Sequence, residues 1–70
     1  MNNDTVHFKY KNWKGIFSER IIRPYNIWFG STEFHKDEQW LLTGFDTIKQ
    51  VWRDFAMKDI SEWTPCPKIV

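Results

Sequence analysis

Apolar and polar side chains alternate from Thr5 to Lys11. Val6, Phe8 and Tyr10 share one parity, and Thr5, His7, Lys9 and Lys11 share the other. A period of two marks a half-buried β-strand, because successive side chains leave opposite faces. Asn12-Trp13-Lys14-Gly15 predicts a turn, since asparagine and glycine accept left-handed backbone angles. Residues 16–23 resume a strand in which neither parity is cleanly polar, a pattern that predicts a bulge or strong bend. Pro24 has no N–H to donate, so it predicts a bend or an edge position, with strand continuing over 25–29. Residues 30–38 form the longest polar stretch and read as a loop.

The centre of the chain is Gln39-Trp40-Leu41-Leu42-Thr43-Gly44-Phe45-Asp46, a nearly unbroken apolar run, followed by an alternating segment over 49–55. Joined by Asp46-Thr47-Ile48, the two predict a hairpin. Residues 56–59 have helical propensity with space for one turn, and a last strand is expected over 60–64. Pro65 and Pro67 are expected to block further pairing, leaving residues 66–70 as a tail or as an extended edge in a partner's groove. Residues 1–4 read as a frayed end. The fold class is therefore all-β, a single domain of five strands with one short helical turn before the last. A small closed barrel is the natural arrangement, because closure removes exposed edges.

Five Trp, six Phe and two Tyr in 70 residues exceed ordinary composition and suit strands and interfaces. The formal net charge of +1 provides no overall field for capturing phosphate backbones, so a basic site must be local. Cys66, the single cysteine, excludes an internal disulfide and fits a reducing cytoplasm. No secretory signal and no apolar run of about 18 or more residues is present, so a cytoplasmic location without membrane contact is expected. Catalysis has no motif behind it. His7 takes the solvent parity, His35 falls in the loop, and no Cys/His spacing suits a metal. Three glycines do not build a phosphate cradle, so neither an enzymatic role nor a cofactor is expected.

Two arginines break the apolar parities. Arg53 aligns with Val51 and Phe55, and Arg20 with Ile16 and Ile22. A guanidinium turned inward requires an anion, because an uncompensated charge in low dielectric is costly, and its planar fork suits carboxylate or phosphate. The anion is either a ligand or one of Glu19, Asp46 and Asp54. The opposite parity of the fourth strand carries Gln50, Trp52 and Asp54. Trp52, with Trp13 and with Trp28 or Trp63, forms a candidate exposed aromatic surface. Beside Lys9, Lys11, Lys14 and Arg23 it would stack single-stranded bases. A dimer interface or second small core fits the near-zero net charge better.

Ser18-Glu19-Arg20 on a strand, the extended Pro24, Trp40-Leu41-Leu42 ending in Asp46, Arg53-x-Phe55 and Ile60 together resemble the WYL domain. The resemblance spans residues 6–63. It departs at Leu41, which stands in the place of the family's tyrosine, and at Asp59, which follows Lys58 where the family usually carries a second arginine. The resemblance implies a five-stranded Sm-like or SH3-like barrel. Such domains commonly sit behind a DNA-binding helix-turn-helix in bacterial transcription regulators, for which 70 residues leave no room. It also implies that Arg20 and Arg53 are the basic residues of a ligand site, with Ser18, Trp40 and Thr43 as pocket neighbours. The implied ligand is an anionic small molecule, a nucleotide or short single-stranded nucleic acid. The competing expectation is a homodimer or protein-interaction module that uses the tryptophan-rich face and the Pro65-Cys66-Pro67 tail.

Overall fold

The computed structural model describes residues 5–66. The elements are β1 (Thr5–Lys11), β2 (Phe17–Gly30), β3 (Gln39–Asp46), β4 (Val51–Ala56), a 3-10 turn (Met57–Asp59) and β5 (Ile60–Cys66). All five strands pair antiparallel in one sheet of order β4-β3-β2-β1-β5. The all-β, five-stranded architecture with a short helical turn before the last strand is therefore as the sequence predicts. β4 and β5 stand at the two ends of the strand order.

The sheet is curled. In a flat sheet β1 and β4, three strand spacings apart, would be separated by about 14 Å. Instead the rings of Tyr10 and Phe55 lie 4.9 Å apart between centroids, and the Ala56 N–H donates to the Tyr10 hydroxyl at 3.0 Å. Curling turns one face inward, and cross-strand partners show which residues share it. Val6 lies opposite Ile22, Phe8 opposite Arg20 and Tyr10 opposite Ser18. Ile22 then pairs with Asp46, Leu42 with Phe55 and Gly44 with Arg53. This concave face holds the core of Val6, Phe8, Tyr10, Ile22, Leu42 and Phe55, with Met57 and Ile60 packed against it. Trp63 stacks on Phe8 at 5.6 Å. β2 comes close at Gly44, where a Cβ would meet the Ile22 Cγ2 at 2.5 Å.

The structure corrects several boundaries. No bulge occurs near Ser18 and Glu19, where pairing with β1 is regular. The register shift falls between Pro24 and Asn26, where the missing proline N–H interrupts the ladder with β3. The β3–β4 connection is longer than the expected three-residue turn and β4 starts at Val51. The Gln50 N–H donates to the Asp46 carbonyl at 2.7 Å, and Gln50 takes a positive φ of 60° to close it. β5 runs through Pro65, opposite Val6, and on to Cys66, opposite Thr5. Proline is tolerated there because β5 is the end strand and needs no donor on its open side. The expected last strand, over 60–64, thus stops two residues short; residues 1–4 and 67–70 lie outside the described residues. No helix among the described residues is long and apolar enough to cross a membrane.

Candidate functional site

The site grows from the end of β3. Asp46 is 1% exposed, and no other charged residue among those described is buried. Its Oδ1 accepts the N–H groups of Ile48 and Lys49, each at 3.0 Å, which fixes the turn. Its Oδ2 accepts a hydrogen bond from Arg20 Nη1 at 3.0 Å and has Arg53 Nε 3.8 Å away. Burial by itself would push the Asp46 carboxyl up. The Lys49 N–H, the Arg20 guanidinium and the Ile48 N–H outweigh it and hold the group below the usual carboxylate range.

Two guanidinium groups thus share one carboxylate. Of the other two candidate counter-anions, Glu19 pairs with His7 and Asp54 bonds to Thr43, so neither serves these arginines. One positive charge is left over. Arg20 also rests over the Phe55 ring, 5.8 Å from its centroid, and its Nε is buried without a hydrogen-bond partner. Arg53, on the end strand, is 43% exposed at the side chain, so it shares the concave face without being enclosed.

Both arginines border a cleft of about 750 Å³ whose lining has five cationic side chains (Lys11, Arg20, Lys36, Arg53, Lys58) and three acidic ones (Asp37, Asp54, Asp59). Tyr10 and His35 also line it. Burial raises the Tyr10 pKa, and the charge of Asp59 adds to the rise, so this phenol stays neutral and presents a dipole. The loop over 31–38 reaches the cleft because the Thr32 hydroxyl accepts the His35 N–H at 3.0 Å. The His35 Nε2 in turn donates to the Asp54 carbonyl, 3.1 Å away.

A family model for the WYL domain matches residues 1–65 of the chain. The chain belongs to the WYL domain family. No curated protein and no solved structure matches it. WYL domains are generally ligand-binding regulatory modules.

Of the residues predicted for the WYL site, Arg20 and Arg53 are brought together. Ser18 shares their face, but it lies opposite Tyr10, exposed, and is not among the described residues that line the cleft. Trp40 also shares the face, yet it sits away from the cleft lining and packs on Phe29 at 5.4 Å. Thr43 is on the opposite, convex face: Gly44, its neighbour, pairs with Arg53, so the pleat turns Thr43 away from the arginines. Its hydroxyl accepts the Trp28 Nε1–H at 2.8 Å and donates to Asp54 Oδ1 at 2.5 Å. Tyr10, His35 and Lys58 were missed. They come from three separate elements, and only Lys58, beside the place of the family's second arginine, had a signal in the sequence. Leu41, in the place of the family's tyrosine, is fully buried and pairs with Ala56.

Proposed function

We propose that this WYL domain is a binding module, not an enzyme, that senses an anionic ligand held against Arg20 and Arg53. A small anion, a nucleotide or short single-stranded nucleic acid has the matching chemistry. The observation that carries the reading is the unequal count at Asp46, where two guanidinium groups meet a single carboxylate beside a cleft in whose lining cationic side chains outnumber acidic ones. A phosphate at the mouth would accept from the exposed fork of Arg53 and from Lys58, with Arg20 and Asp46 holding the geometry behind.

The test is thermal denaturation against a panel of nucleotides and oligonucleotides at low and high salt. A ligand at a hundred times its Kd stabilises the folded state by about 2.7 kcal/mol, a shift of roughly 10 °C or more for a domain this small. Arg53→Gln should abolish the shift while changing the unliganded melting temperature little, because its ion pair is half exposed. A wild-type protein that responds to nothing in the panel overturns the reading.

A second reading, self-association or protein docking, is favoured by one observation. Ile27, Phe29 and Trp40 lie over half exposed next to one another on paired strands. The tryptophans do not form a single face, since Trp28 and Trp52 are convex, Trp40 and Trp63 concave, and Trp13 in a turn. Light scattering on wild type and Trp40→Ala checks it. A dimer that the substitution dissociates supports it, and a monomer throughout removes it.

A further inference from the structure

The convex face carries a second arrangement, which shares Trp52, Arg53 and Asp54 with the lining of the cleft and adds Tyr25 and Thr43. Tyr25 and Trp52 meet edge to face, 5.8 Å between centroids and 82° between planes, and so form two walls of a corner. Phe45 also meets Trp52, at 5.5 Å between centroids. At the foot of the corner is Asp54, in a concavity of about 350 Å³ lined by Tyr25, Thr43, Trp52, Arg53 and Asp54. Register explains the grouping. Thr43 pairs with Asp54 and Phe45 with Trp52, so all four leave the same face, and the register shift after Pro24 swings Tyr25 onto them.

The carboxylate is built into place. The Trp28 indole donates to the Thr43 hydroxyl, and that hydroxyl donates to Asp54 Oδ1, which leaves Oδ2 without a side-chain partner among the described residues. Among the described residues no cation lies within ion-pair distance of Asp54. Arg53 borders the concavity, but its guanidinium is directed across the sheet to Asp46. A half-buried, oriented and unpaired carboxylate beneath two exposed ring faces has one complementary chemistry. It suits a diffuse organic cation, whose weakly hydrated charge is attracted by ring quadrupoles and neutralised by the acid.

We propose that this corner is a second binding site, specific for a quaternary ammonium or guanidinium group, presented either by a free small molecule or by a methylated lysine or arginine side chain. Its occupant is opposite in charge to that of the concave cleft. It lies on the other face of β4, so the two sites are joined through Arg53 and Asp54, adjacent residues of one strand.

The probe is choline, set against 3,3-dimethyl-1-butanol, the neutral compound of nearly the same shape. Binding is followed through the Trp52 indole signal in two-dimensional NMR, assigned with Trp52→Phe. Choline should move the Trp52 and Tyr25 signals in a saturable way, and the neutral isostere should not. Asp54→Asn should weaken choline at least tenfold while the rest of the spectrum keeps its folded dispersion, and Tyr25→Ala should do the same. Short peptides bearing trimethyllysine or arginine separate the two sources: tighter binding than choline assigns the site to a protein side chain, and equal or weaker binding to a free cation. Equal responses to choline and its isostere overturn the proposal, as does choline binding unchanged in Asp54→Asn. Movement of the Trp52 signal by single-stranded oligonucleotide in place of choline also overturns it.

Discussion

Replacing Asp46 with alanine is expected to cost the fold about 3–5 kcal/mol, the usual penalty for removing one partner of a buried ion pair. A domain of 70 residues has on the order of 4–10 kcal/mol in total. The loss has two parts. Arg20 keeps its place over Phe55 with no anion beside it, and the N–H groups of Ile48 and Lys49 lose their acceptor, which loosens the turn that starts β4. Asp46→Asn keeps an oxygen for the turn and removes only the charge, so it should fall between the two. The pH dependence has a definite sign. Since the folded-state pKa of Asp46 is depressed, its contribution is complete above the ordinary carboxylate range, near pH 4, and is lost as pH falls through the lower folded value. Urea midpoints at pH 7 and at successively lower pH should therefore converge for wild type and Asp46→Asn. If the two proteins have equal midpoints at pH 7, Asp46 is not what holds the arginines.

Much of this fold was legible because the signals were local. Alternation at Thr5–Lys11 and the apolar run at Gln39–Asp46 located β1 and β3 to the residue. Parity also puts Arg20 and Arg53 each on the apolar side of its own strand. What was not legible depended on pairing partners. Whether Val51 and Arg53 are enclosed depends on β4 being an end strand, and Pro65 could continue β5 because that strand is the other end. Thr43 is a candidate by resemblance alone, and only the Gly44–Arg53 pairing shows that its parity is opposite to that of Arg53. For Asp46, the sequence named it as one of three candidate counter-anions. Its service to both arginines at once follows from the Ile22–Asp46 and Gly44–Arg53 pairings, which no single strand encodes.

The other large effect should come from Phe55→Ala. Phe55 is 1% exposed and meets two rings of β1 edge to face, Phe8 at 5.4 Å and Tyr10 at 4.9 Å, while its own face supports Arg20. It is thus the apolar contact that draws the end strand β4 over β1 and curls the sheet. Truncating a buried phenylalanine costs about 3–5 kcal/mol, part of it lost transfer energy and part the cavity left behind. In so small a core this approaches the whole stability, so the variant should be largely unfolded at 25 °C, seen as loss of near-ultraviolet dichroism. Phe55→Leu retains most of the volume and should cost under about 1.5 kcal/mol. That variant keeps the question open to measurement where the alanine protein cannot be studied. Phe34→Ala, at an 85% exposed loop position, serves as the control and should stay within about 0.5 kcal/mol of wild type. Because Arg20 rests on the Phe55 ring, Phe55→Leu should also weaken anion binding beyond its effect on stability. If Phe55→Ala unfolds at the same urea concentration as Phe34→Ala, the curl is held by something other than this aromatic contact, and the arginine cleft loses its floor as an explanation.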